Sequence, residues 1–191
     1  MFARSSIRQT QPSLQVHYQN VRGLRTKLSD FITATSASSI DAFCIPETWL
    51  HPTIHDGEVI DDTFNIFRQD RNNSTCISEN GGGVLIALKK YFHAECIHIP
   101  DDSLEQIYVK IKCKISNIIV ACVYIAPRAS LNVYQIYLDT LYYLKDKHRD
   151  ANFLITGDFN LPSSSPRSDC ENLLYKVTYM YILSVPRKLL L

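Results

Sequence analysis

Four segments of the chain end in residues that could share one chemistry: Asn20, Glu47, Tyr124, and the pair Asp158 and Asn160. Two carboxylates and an amide can bind a hard divalent cation and place a water. Magnesium takes only one or two carboxylates and keeps several waters and the phosphate oxygens of a substrate. Hydrolysis of a phosphate ester needs that arrangement. Each residue also has a plainer reading. Asn20, shortly before Gly23, suits a turn, and Glu47 suits a helix cap. Tyr124 suits a core position with a satisfied hydroxyl, and Asp158 suits an Asx-turn or a cap. Polar residues at element ends usually satisfy backbone groups; what singles these out is their convergence.

The elements that must position them can be read from periodicity. Leu14, Val16 and Tyr18 alternate with polar neighbours and predict a strand that stops at Asn20. Leu24, Leu28, Phe31, Ile32 and Thr35 recur at helical spacing, and Ala42 to Ile45 predicts a short buried strand closed by Pro46, just before Glu47. The polar segment His51 to Asp62 reads as a loop, followed by a strand near Phe64 to Arg68 and a second polar stretch, Gln69 to Asn80. Val84 to Leu88, Ala94 to Ile99, Gln106 to Lys112 and Ile118 to Tyr124 predict four strands. The third has one wet face, from Lys110 and Lys112, and the fourth is buried on both faces. Leu131, Tyr134, Tyr137 or Leu138, Leu141 and Leu144 trace a helix to about Lys147, and Phe153 to Thr156 predicts a buried strand running into Gly157-Asp158-Phe159-Asn160. Strand and helix alternation around a strand meander gives a mixed α/β domain with layered sheets.

With 46% hydrophobic and 20% charged residues the chain has the balance of one soluble globular domain, and its net charge of +1 supplies no global field that would mark a nucleic-acid binder. Polyanion contact would have to come from local clusters such as Arg22, Arg25 and Lys27. Six scattered cysteines without a Cys-x-x-Cys pair read as buried free thiols of a reducing compartment. Val177 to Val185 is far short of the ~20 residues that span a bilayer. Gly81-Gly82-Gly83 precedes a strand and lacks a following Lys-Ser/Thr, so it reads as a tight turn and not a phosphate loop. His51 and His55 flank Pro52 and have no glutamate between them, which argues for solvent-facing loop residues and against a zinc helix. Arg68, Asp70 and Arg71 fit an ion-pair cluster as well as a phosphate contact.

Taken as one ordered set, the segments Asn20 to Lys27, Pro46 to Leu50, Phe67 to Arg71, Gly81 to Ile86, Val123 to Pro127 and Gly157 to Asn160 resemble the endonuclease/exonuclease/phosphatase superfamily, most closely the endonuclease domain of insect-type non-LTR retrotransposons. The resemblance implies an α/β fold of the DNase I-like type, a four-layer α/β/β/α sandwich. It also implies a Mg²⁺-dependent phosphodiesterase site acting on DNA, with Mn²⁺ as a substitute. By matching position Glu47, Asn20 and Asp158 are the expected metal residues, Tyr124 the phenol that hydrogen-bonds the scissile phosphate, and Asp158 the group that orients or deprotonates water. Asn160 would hold that aspartate and the phosphate, and Arg22, Lys27, Arg68 and Arg71 would meet the substrate.

Members of that family continue past Gly-Asp-Phe-Asn with strands carrying another acid and a terminal Ser-Asp-His. Ser168-Asp169-Cys170 imitates the tripeptide with cysteine in place of histidine and lies too near Asn160. The expectation is therefore a sandwich incomplete at its C-terminus: a flexible tail over residues 1–13, a partial domain over 14–162 and an unrelated tail over 163–191. The nuclease is expected to be impaired by loss of the Asp/His segment. The alternative is an inactive remnant with weak nucleic-acid binding. DNA is the expected partner, no membrane is involved, and an intracellular, nuclear setting is expected.

Overall fold

Alternation along the strands sorts the apolar side chains into three layers, and those layers dictate the architecture. The computed structural model describes residues 14–71 and 81–161. The tails over 1–13 and 163–191, with Ser168-Asp169-Cys170 and Val177 to Val185, lie outside the described residues, as do Cys76 and most of the stretch Gln69 to Asn80. Among the described residues the elements follow one another as β1 (Val16–Tyr18), a 3-10 turn (Arg25–Lys27), α1 (Leu28–Ser36), β2 (Ala42–Pro46), α2 (Asp56–Val59), β3 (Phe64–Gln69), β4 (Val84–Lys89), β5 (Ala94–Cys96), β6 (Glu105–Ile111), β7 (Ile118–Tyr124), α3 (Leu131–Lys147) and β8 (Asn152–Asp158).

Two mixed four-stranded sheets result, one in the order β1-β2-β4-β3 and the other in the order β5-β6-β7-β8. In β4, Val84, Ile86 and Leu88 face the second sheet, whereas Leu85 and Ala87 face the α1 side. In β7, Val120, Cys122 and Tyr124 face the first sheet, whereas Ile119, Ala121 and Val123 lie under α3. Helix, sheet, sheet and helix therefore stack in that order. On the α1 side Phe43 makes edge contacts with His17, Phe31 and Phe64. Under α3, Tyr134, Tyr137, Leu141 and Leu144 pack at the spacing of one helical face. Among the described residues no helix is long and apolar enough to cross a membrane.

Several expectations change in detail. The segment His51 to Asp62 holds the single turn α2, because the Glu58 carboxylate accepts a 2.8 Å bond from the His55 N–H in the manner of a cap. The supposed wet face of β6 is dry up to Lys110. There α3 covers Gln106 and Tyr108, and the Tyr108 hydroxyl donates to Gln106 Oε1 at 2.9 Å. β8 is only half-buried, and among the described residues it is last in its sheet. All four described cysteines are free, but only Cys44 and Cys122 are buried, facing one another's sheet in the central layer; Cys96 and Cys113 are exposed.

Gly157 shows how closely β7 and β8 approach, because a Cβ built on it would stand 2.3 Å from the Val123 carbonyl oxygen. Gly157→Ala is expected to push the strands apart and lower the unfolding free energy by about 1–3 kcal/mol, the usual scale of overpacking. Urea denaturation would show this as a lower midpoint at constant slope; an unchanged midpoint would mean that β8 is not seated on β7 as described.

Candidate active site

Each sheet contributes one parallel pair, β1 with β2 and β7 with β8, so the carboxyl ends of paired strands coincide. The polar residues at those ends meet at one edge of the sandwich. Pro46 is the last rung of β2, opposite Val84, and its missing N–H ends the ladder. Beyond it the backbone is clamped from both sides. Gly23 N–H donates to Glu47 O and Leu24 N–H to Thr48 O, both at 2.8 Å, while Thr48 N–H donates to Gly83 O at 3.2 Å and Trp49 N–H to Gly82 O at 2.9 Å. So held, Glu47 (φ 53) and Trp49 (φ 54) adopt left-handed backbone. Such conformations cost on the order of 1–3 kcal/mol and persist where the surroundings over-determine them.

Asp158 closes β8 opposite Tyr124. Its Oδ1 accepts from the Asn160 N–H at 3.3 Å, so the Asx-type turn is present, and its Oδ2 is turned toward Asn20. Asn160, also left-handed at φ 40, donates its side-chain amide to Ile125 O at 2.9 Å. The Tyr134 hydroxyl lies 3.0 Å from the carbonyl oxygens of both Phe159 and Asn160, and the Phe159 ring packs on Tyr137 with centroids 5.4 Å apart. The loop after β8 is thereby fastened to α3.

Asn20 joins the sheets. Its Nδ2 donates to Glu47 Oε1 and to Asp158 Oδ2, each at 2.7 Å, and its Oδ1 accepts from Arg22 N–H at 3.0 Å, which fixes the amide's orientation. The two carboxylate oxygens are thus no farther apart than twice 2.7 Å. Tyr124 is buried in the central layer at the end of β7. Burial first, then the neighbouring Glu47, push its phenol up to about 12, with Arg71 acting in the opposite direction. The phenol stays a hydrogen-bond donor throughout the neutral range.

The four expected substrate contacts divide. Arg22 and Lys27 are exposed beside Asn20, with Lys27 Nζ donating to Val21 O at 2.6 Å. Arg68 and Arg71 are drawn inward. Arg68 lies 3.3 Å from Asp56 and 3.5 Å from Asp70, and Arg71 Nε lies 2.6 Å from Glu105 Oε1. The knot at the end of β3 is therefore held in three ion pairs, two made by Arg68 and one by Arg71, and His51 and His55 are exposed, as expected. Glu105 was missed by periodicity, although the signal existed: it has the parity of Ile107, Val109 and Ile111, which places a carboxylate on the inward face of β6.

Two converging carboxylates form a hard oxygen-donor pair, held together by the Asn20 Nδ2, and no third acid, histidine or cysteine joins them among the described residues. That count suits magnesium, which needs one or two carboxylates, and not the nitrogen- and sulfur-rich sites of zinc. The residues present fit a magnesium or manganese ion, with Glu47 and Asp158 as its carboxylates and Asn20 beside them.

A family model described as the Endonuclease/Exonuclease/phosphatase family matches residues 18–169. No curated protein matches. Among solved structures, the endonuclease domain of TRAS1, a telomere-specific non-LTR retrotransposon, superposes with a TM-score of 0.60 at 12% identity, covering 86% of this chain and 69% of that one. The 3′ phosphatase NExo from Neisseria, bound to a product DNA hairpin, gives 0.60 at 13% identity over 88% and 71% of the two chains. An AP endonuclease from Archaeoglobus fulgidus gives 0.59 at 18% over 87% and 70%. At these identities the likeness shows a shared DNase I-like fold. The family match, in contrast, runs through every element from β2 to β8 and past each of the strand ends that meet here, so the chain belongs to the endonuclease/exonuclease/phosphatase family.

Proposed function

We propose that the chain hydrolyses phosphodiester bonds in DNA with a magnesium or manganese ion, as an endonuclease domain of the non-LTR retrotransposon kind. The observation that carries this is the Asn20 side chain, whose one nitrogen bonds a carboxylate from each sheet at 2.7 Å. Membership of the family supports the reaction class, and the likeness to the TRAS1 domain and to a Neisseria enzyme bound to product DNA favours DNA as the substrate.

Glu47 and Asp158, kept in place by Asn20, would hold the cation, which when bound supplies Lewis-acid stabilisation of charge on the phosphate oxygens. Asp158 orients the attacking water and takes its proton as the new P–O bond forms and the bond to the leaving ester oxygen breaks, that oxygen taking a proton from solvent. Asn160 holds the aspartate through its N–H bond to Oδ1. Tyr124 donates a hydrogen bond from its phenol to a phosphate oxygen and keeps its proton. Arg22 and Lys27, on the exposed rim, meet the backbone of the duplex.

Nicking of supercoiled plasmid in magnesium tests the reading beside Glu47→Gln and Asp158→Asn. Each substitution is expected to lower kcat on the order of 10²-fold or more, as for loss of one pre-organised electrostatic group. Chelation should abolish turnover of the parent. Nicking unchanged by both substitutions would sink the site. Salt-sensitive binding without nicking in any protein would leave nucleic-acid binding as the function.

Tyr124→Phe should lower kcat on the order of 10-fold or more while leaving KM near the parent value, since the lost bond strengthens in the transition state. The phenol gives up its proton only as pH climbs toward about 12, so any loss of rate from its ionisation belongs on the alkaline side of the ordinary tyrosine range. A parent profile that falls near pH 10 and is flattened by Tyr124→Phe would contradict this placement.

A further inference from the structure

Glu105 is a carboxylate on the apolar face between two sheets, 4% exposed, directly opposite Tyr124 in the pairing of β6 with β7. A buried carboxylate is tolerated only when paired and hydrogen-bonded. Its partners come from the other sheet's chain segments. Arg71 donates Nε to Oε1 at 2.6 Å and Nη2 to Oε2 at 3.4 Å, and Gly83 N–H donates to Oε2 at 3.1 Å.

Both partners lead to the site. The Arg71 guanidinium carbon stands 5.9 Å from the centroid of the Tyr124 ring, within range of cation–π attraction. The Gly83 carbonyl accepts the Thr48 N–H, and the Gly82 carbonyl accepts the Trp49 N–H, so the glycines clamp the residues that follow Glu47. The ion pair occupies the space a side chain at residue 82 would need: a Cβ built on Gly82 lies 2.3 Å from Arg71 Nη2 and 2.4 Å from Glu105 Oε1. One carboxylate therefore steadies the phenol on one sheet and the Glu47 segment on the other. The Arg71 side chain is only 10% exposed, which suits a strut better than a hand held out to DNA.

We infer that Glu105 is a positioning residue, acting through Arg71 on Tyr124 and through Gly83 on the Glu47 segment, and that Arg71 serves the site from within without touching substrate phosphate. The inference rests on the phosphodiesterase reading above for its effect on turnover. Its effect on placement can be seen without turnover, because Trp49 is the chain's one tryptophan and sits on the clamped segment.

The test uses the full chain with Glu105→Gln and Arg71→Met, each first shown to melt cooperatively. Three measurements are made: acrylamide quenching of Trp49, salt dependence of duplex binding in chelator, and kcat and KM for plasmid nicking in magnesium. In both variants Trp49 quenching should rise and kcat should fall on the order of 10²-fold, as for small misplacement of reacting groups. KM and the salt slope should keep the parent's values. The double variant should lose little more than either single one.

Unchanged Trp49 quenching in folded Glu105→Gln overturns the inference. So does a salt slope in Arg71→Met shallower by about 0.9, the value of one lost phosphate contact. Should Glu105→Gln fail to fold, Arg71→Lys takes its place under the same criteria, since it keeps the charge and loses the planar fork. A parent that never nicks DNA defeats the phosphodiesterase reading alone, and Trp49 still decides the placement.

Discussion

Parallel pairing at two places, β1 with β2 and β7 with β8, is the constraint on which the rest depends. Antiparallel neighbours end at opposite edges, so a meander spreads its polar termini over both rims of a sheet. A parallel pair gathers two carboxyl ends at one rim, and a crossover must carry the chain back, which α1 and α3 do. Packing the two sheets face to face with both rims aligned then brings four strand ends together. The Asn20 amide spans the join between sheets and registers one against the other.

The rim is stiff because its loops are bonded on every side. Glu47 and Asn160 both hold left-handed backbone without being glycine, Glu47 within the main-chain bonds of Gly23, Thr48 and Trp49, and Asn160 through side-chain bonds with Asp158, Ile125 O and Tyr134. The glycines nearby also take positive φ, and they serve a second need, close approach. Gly82 and Gly83 make room for the Arg71–Glu105 pair and the Thr48 hydroxyl, and Gly23 makes room for the Trp49 ring. Strain at Glu47 and Asn160 and thinness at the nearby glycines are two sides of one arrangement.

Much of this was legible in the sequence because it follows from side-chain period. α3 runs from Leu131 to Lys147, where apolar spacing placed it, and β7 is buried on both faces, as its unbroken apolar run implied. The polar residues at four strand ends were readable for the same reason: burial stops where they begin. What escaped depends on neighbours. An apolar run such as Phe153 to Ile155 looks alike at the centre and the margin of a sheet, so the half-exposure of β8 could not be read. The single turn α2 depends on one carboxylate reaching back to one N–H. The inward pairing of Arg68 and Arg71 depends on acids distant in sequence, Asp56 and Glu105.

The central layer has a consequence of its own. Cys44 and Cys122 come from opposite sheets, each wholly buried, and burial pushes the Cys44 thiol up to about 12 and the Cys122 thiol well above its ordinary value. A thiol is nucleophilic only as thiolate and only when reached. While the sheets stay closed, these two sulfurs are silent toward oxidants and alkylating agents, unlike Cys96 and Cys113 on the surface. Parting of the sheets would separate Asn20 from Asp158 and uncover both thiols in the same event. The chemical state of Cys44 and Cys122 is therefore a record of whether the two halves of the site have ever come apart.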